Sequence, residues 1–144
     1  MLTRRLAAIF LFGMISTSLA AQVLSWSETK ALAVEEDKKV LLVFSGSDWC
    51  RGCILFDQQV LQDTKFQDLV SSKLALYKAD FPRKKKNKPE VTVIRQNEKL
   101  IQQFNPSGTF PFVLLLNGED EVLLKAEGNI DRDAFMDSIR KATE

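Results

Sequence analysis

The chain has 144 residues, 45% hydrophobic and 27% charged, with a net charge of +1, two cysteines and no histidine. That is one domain's length with enough apolar residues for a packed core, and the balanced charge supplies no basic field to hold nucleic acid. Without histidine no Ser-His-Asp or Cys-His catalysis can operate, two thiols cannot build a four-thiolate zinc site, and Ile54 after Cys53 excludes a CxxCH haem site.

Taken from the N-terminus, basic Arg4 and Arg5 precede an apolar run from Leu6 to Ile15 and a short polar stretch. Ser18 and Ala20 fit the small-residue pattern of a signal peptide cut after Ala20, which divides the chain into a signal segment 1–20 and a mature domain 21–144. The apolar run is too short to cross a bilayer, although an uncleaved anchor is the competing reading. Removal of Arg4 and Arg5 would turn the net charge slightly negative, and an exported chain would meet an oxidising compartment, where cysteine pairs matter.

Ser25 and Glu28 fit a capping box opening a helix that carries Ala31, Leu32 and Val34 to about Asp37. Val40 to Phe44 is a continuous apolar run, the pattern of a strand buried on both faces. The turn cluster Ser45-Gly46-Ser47-Asp48 leads to a helix from about Cys50, and Asp63 caps a further helical stretch with Phe66, Leu69 and Val70. Leu74 to Ala79 is a second buried strand, residues 81–89 are a loop, and Pro89 is placed at the first position of a helix through Phe104. Phe112 to Leu116 is a third strand, Asn117-Gly118 turns the chain, and Glu121 to Lys125 returns. After Gly128, Asp131 caps a last helix to about Lys141. This order predicts an α/β fold, with a mixed sheet of a parallel core and an antiparallel hairpin covered by helices on both faces.

The chemistry concentrates in Trp49-Cys50-Arg51-Gly52-Cys53, between a buried strand and a helix. Spacing of i and i+3 on a helix puts both thiols on one face within disulfide reach. A helix N-terminus favours the Cys50 thiolate, and Arg51 adds a full positive charge. Cys50 is therefore expected to be exposed and to attack, with Cys53 more buried and resolving the mixed disulfide. A purely structural disulfide would close a very short loop and stabilise by about 2 kcal/mol, against about 4.7 for a 100-residue loop.

Strand, turn, Trp-Cys-x-x-Cys, helix, and Thr109-Phe110-Pro111 before a later strand resemble the thioredoxin family over nearly all of residues 21–144. SGSDWCRGC and ADFPRKKK are similar to exported bacterial thioredoxin-like proteins, and SDWC is similar to the reductase domain that ends a periplasmic membrane electron transporter. The resemblance implies a thioredoxin-like three-layer α/β/α sandwich and an exported, periplasmic thiol–disulfide oxidoreductase, a reductase or isomerase rather than an oxidase. It makes Pro111 a cis-proline that turns the Phe110 backbone towards an extended substrate, and Trp49 a cover for the site. A trans proline at a strand start and a core indole are the plain alternatives.

Two departures stand out. Arg-Gly separates the cysteines where thioredoxin has Gly-Pro, and the family's buried acid falls on Phe44. The proton acceptor for Cys53 is thus open between Asp48, the nearest acid in sequence, and water. No cofactor or metal is implied. The implied partners are protein thiols and disulfides and an upstream dithiol electron donor, for which a membrane-bound carrier is one candidate; nucleic acid is excluded and the chain is expected to be a monomer. The alternative function is a non-catalytic thioredoxin-fold binding module with a structural disulfide. The basic run from Arg83 to Lys88 reads as a solvated loop or as a docking patch for an acidic partner or anionic surface, and the acids from Glu119 to Asp137 as solvation.

Overall fold

Continuous apolar strands and well-placed caps explain most of the architecture. The computed structural model describes residues 24–144, so the expected signal segment 1–20 and the expected cut after Ala20 lie outside the described residues. Helix α1 (Trp26–Glu35) opens with the expected box: the Ser25 hydroxyl accepts from the Glu28 amide and the Glu28 carboxylate accepts from the Ser25 amide. There follow β1 (Lys39–Ser45), α2 (Arg51–Phe56), a π turn (Asp57–Leu61), α3 (Thr64–Lys73), β2 (Leu74–Asp80), a short 3-10 turn (Lys85–Asn87), α4 (Val91–Phe104), β3 (Phe112–Leu116), β4 (Val122–Glu127) and α5 (Arg132–Ala142). Asp63 and Asp131 cap α3 and α5 through their carboxylates, as their positions imply.

The strands form one sheet in the order β2-β1-β3-β4. β1 runs parallel to β2 and antiparallel to β3, and β3 is antiparallel to β4. Because side chains alternate along a strand, β1 supplies both layers. Val40, Leu42 and Phe44 pack with Ala33 of α1 and Leu100 of α4. Leu41 and Val43 pack with Phe56, Val60, Phe66, Phe135 and Ile139 from the α2, α3 and α5 side. The chain therefore has the three-layer α/β/α arrangement with a mixed central sheet.

Three local expectations need correction. Pro89 does not occupy the first helical position: Glu90 is the N-cap of α4, and Pro89 precedes it. The return strand begins at Val122 because the Asn117 side-chain oxygen accepts from the amides of both Glu119 and Glu121, at 2.9 Å each, and Asp120 adopts φ of 63°, which lengthens the turn. The helix after Cys50 does not run on as α but widens into the π turn at Asp57.

Candidate active site

The site forms where β1 gives way to α2. The Gly46 carbonyl accepts from the amides of Trp49 and Cys50, at 3.2 and 2.9 Å, which curls the chain into the helix. Cys50 is the N-cap of α2, and its sulfur accepts the Cys53 amide at 3.2 Å, in the place a Ser or Asp oxygen commonly takes. The Cys53 sulfur accepts the Gly46 amide at 3.4 Å. Both sulfurs thus face N–H donors, an arrangement that favours thiolate once the pair is reduced. Here they are joined as a disulfide, with Cα atoms 5.2 Å apart.

Cys50 is not exposed as expected. It is 8% accessible against 2% for Cys53, because its sulfur is turned inward to its partner and to the Cys53 amide. The order of accessibility is the expected one.

Two glycines let neighbours approach. A Cβ on Gly46 would stand 2.3 Å from the Trp49 ring, so the indole can lie over the turn only with glycine there. A Cβ on Gly52 would stand 3.2 Å from Pro111 Cδ, so the glycine between the cysteines leaves the proline ring room for a close approach. The Phe110–Pro111 peptide bond is cis. Trp49 is half-buried at a rim rather than in the core: its Nε1–H donates to the Phe81 carbonyl at 2.8 Å, and its ring meets Phe110 edge-on at 5.4 Å. Phe81 packs on Phe110 in turn, at 5.7 Å, and the Arg83 guanidinium lies 4.0 Å over the indole.

Of the two residues expected to tune the thiols, Arg51 is exposed at the first position of α2. Asp48 is engaged elsewhere. Its carboxylate accepts from the amides of Arg83 and Lys84 and from the Asn87 side chain, at 2.9, 3.0 and 2.9 Å. The Arg83 amide above all, outweighing burial and helped by Asn87 and Lys84, holds its carboxyl below the usual aspartate value. These three bonds fasten the basic loop.

Sequence reasoning missed the acid that does sit near Cys53. A small cleft of about 120 Å³ is lined by Ser45, Ser47, Cys53, Asp57, Gln62 and Lys78, among others. It has room for more than one water. Asp57, one turn beyond Cys53, accepts from Lys78 Nζ and from the Gln62 amide group, each at 2.6 Å. Burial pulls the Asp57 carboxyl up, but the bonds from Lys78 and Gln62 and the lysine's charge prevail and leave it below its ordinary value. Phe44 is fully buried, edge-on to Phe112 at 5.9 Å, so no carboxylate approaches from that position. The i, i+4 spacing of Cys53 and Asp57 was readable. Lys78 was not, since it depends on β2 pairing Lys78 with Val43 of β1.

The thioredoxin-like family profile matches residues 21–118. The disulfide bond reductase DsbH of Chlamydia pneumoniae is 32% identical over 111 residues, which are 74% of this chain and 64% of that protein; the chain therefore spans under two thirds of that relative's length. Among solved structures, a DsbH oxidoreductase superposes with a TM-score of 0.73 and 27% identity, covering 85% of this chain and 83% of that one. The oxidised C-terminal domain of Neisseria meningitidis DsbD has the same fold, with a TM-score of 0.54, 18% identity and coverage of 81% and 90%.

Proposed function

This chain belongs to the thioredoxin-like family, and on that premise we propose that it is an exported thiol–disulfide oxidoreductase that reduces protein disulfides through Cys50 and Cys53. The observation that carries the reading is the cysteine pair at the mouth of α2, with both sulfurs on backbone donors and Gly52 beneath Pro111.

In the reduced protein, the Cys50 thiolate attacks one sulfur of a client disulfide and expels the other as thiolate, leaving a mixed disulfide. Cys53, deprotonated, then attacks the Cys50 sulfur and releases the second client thiolate. The client gains two electrons and two protons, and the protein is left with the Cys50–Cys53 bond, the state described above. An upstream dithiol restores the pair. The Cys53 proton leaves through the cleft it shares with Asp57 and Lys78, whose opposite charges set the field there. Trp49 and Phe110 form the rim against which the client chain lies, and Arg51 favours the Cys50 thiolate.

Reduction rather than oxidation is supported by the name of the relative, a disulfide bond reductase. Export is supported by the signal-like segment ending at Ala20, which leaves the domain 21–144 in a compartment where disulfides form. Insulin reduction with a small-molecule dithiol as donor tests the activity. Wild type should accelerate it, and Cys50→Ser should fall to the uncatalysed rate; full activity in that variant would end the reading. Equilibration with glutathione sets the direction, a potential near that of thioredoxin, about −270 mV, being expected, and one near that of DsbA, about −120 mV, making the protein an oxidant.

A further inference from the structure

We propose that the loop Arg83–Lys88 is a docking surface for acidic polypeptide segments that flank the disulfide Cys50 attacks; the inference rests on the oxidoreductase reading above. Five of the six residues 83–88 are cationic in a chain whose net charge is only +1, so the charge is gathered rather than general. All six are exposed. Among the described residues, none of the ion pairs engages Arg83, Lys84, Lys85, Lys86 or Lys88. The one carboxylate bonded to the loop, Asp48, takes backbone amides and Asn87 and leaves the lysine ammonium groups free for a partner.

A solvated loop would not need such fastening. Asp48, two residues before Cys50, grips the loop at three points. Trp49, next to Cys50, donates to the Phe81 carbonyl and lies under the Arg83 guanidinium. The amides of Asn87 and Lys88 close the short turn on the carbonyls of Lys84 and Lys85. The positive field is thereby tied to the two residues that precede the attacking sulfur.

Topology orients the field. The loop follows β2, whose C-terminal end lies beside that of its parallel partner β1, where the cysteines begin. The acidic turn Glu119-Asp120-Glu121 joins β3 to β4 at the other end of the strands; Glu127, the last residue of β4, and Asp131 lie at the cysteine end but across the sheet from the loop, on the opposite edge strand, and Glu127 is paired with Lys125. A polypeptide with acids beside its disulfide would arrive with the right polarity over Cys50. Because the loop is fastened to the redox site, what it binds is brought to the cysteines, which favours a disulfide-bearing chain over a lipid surface.

The test uses two peptides with the same disulfide, one flanked by glutamates and one by lysines, reduced by the dithiol-charged protein at low and high salt. Wild type should prefer the acidic peptide by about tenfold in kcat/KM at low salt, with the preference fading at high salt. Lys84→Glu/Lys85→Glu/Lys86→Glu should reverse it, and the corresponding triple Gln variant, which adds no repulsion, should remove it. Reduction of both peptides at equal rates by wild type overturns the docking surface while leaving the oxidoreductase intact; reduction of neither overturns the oxidoreductase itself. Equal rates together with salt-sensitive binding to phosphatidylglycerol vesicles would assign the loop to a membrane and overturn the proposal.

Discussion

Asp57 Oδ1 accepts from Lys78 Nζ at 2.6 Å in a cleft that Cys53 also lines, so an acid and a base stand together beside the inner thiol. The pair is close to neutral, and each member hides the other's field. Removing one should therefore uncover the other. Asp57→Asn leaves Lys78 to favour the Cys53 thiolate, and the alkaline midpoint of Cys53 alkylation should move down by roughly one pH unit. Lys78→Met leaves Asp57 to oppose it, and the midpoint should move up by a similar amount. Titration of alkylation rate in Cys50→Ser backgrounds gives both numbers. Shifts of the same sign would rule out the electrostatic role.

The acid limb of stability follows from the same reasoning. The carboxyls of Asp57 and Asp63 lie below their ordinary values: Asp57 for the reasons given above, and Asp63 chiefly because it accepts from Arg132. A carboxyl depressed in the folded state stabilises the fold fully above its unfolded value of about 3.9. That contribution is lost as pH falls through the folded value. The urea midpoint should therefore be flat from pH 7 to about 5 and fall steeply below about 4. Asp63→Asn preserves a capping side chain, so it isolates the charge. It should flatten the acid fall while lowering the plateau; an unchanged acid limb would contradict the assignment.

Gly46 and Gly52 should fail differently. Ala at 46 would drive a methyl into the Trp49 ring, so Gly46→Ala should cost about 1–3 kcal/mol in urea denaturation and change the tryptophan emission. A Cβ at 52 is crowded only by Pro111 Cδ, at 3.2 Å; Gly128 O and Pro111 Cγ stand at an ordinary 3.9 Å. Gly52→Ala should leave stability within about 1 kcal/mol and act on insulin reduction, by moving the cysteines from the proline. Equal stability losses at the two positions would show that Gly52 serves the fold rather than the site.

A buried polar link supports the turn from behind. Asn97, 2% exposed, accepts from the Tyr77 hydroxyl at 2.8 Å and donates to the Asp80 carbonyl at 3.1 Å, while the Asp80 carboxylate accepts from the Ser47 amide and hydroxyl at 2.9 and 2.5 Å. Asn97→Ala leaves the tyrosine hydroxyl and a carbonyl without this partner, and thermal or urea unfolding should show a loss of about 1–3 kcal/mol. The Gln96 amide, which donates to the same hydroxyl, cannot take its proton, so a neutral result would contradict the stabilising role of the link.

Local chemistry was legible in the sequence. Ser25, Asp63 and Asp131 announced their helices because capping is decided within three or four residues. The buried strands and the Cys50–Cys53 spacing were legible for the same reason. Apart from element ends and the accessibility of Cys50, the misreadings at the site involve partners distant in sequence. Asp48 looked like an acid for the thiols because it is near them in the chain, yet its bonds go to Arg83, Lys84 and Asn87. Asp57 passed unnoticed because its lysine arrives through strand register. Gly52 read only as a departure from Gly-Pro, since Pro111 reaches it only in the folded chain.

The central claim is that Cys50 attacks and Cys53 resolves, and trapping the mixed disulfide tests it most directly. Cys53→Ser, reduced and mixed with a disulfide-bonded client, should accumulate a covalent adduct that mass spectrometry places on Cys50 and that added dithiol releases. Cys50→Ser should accumulate little or none, because the remaining thiol is the inner one, 2% exposed. An adduct that forms only through Cys53, or no adduct with either variant, would contradict the account.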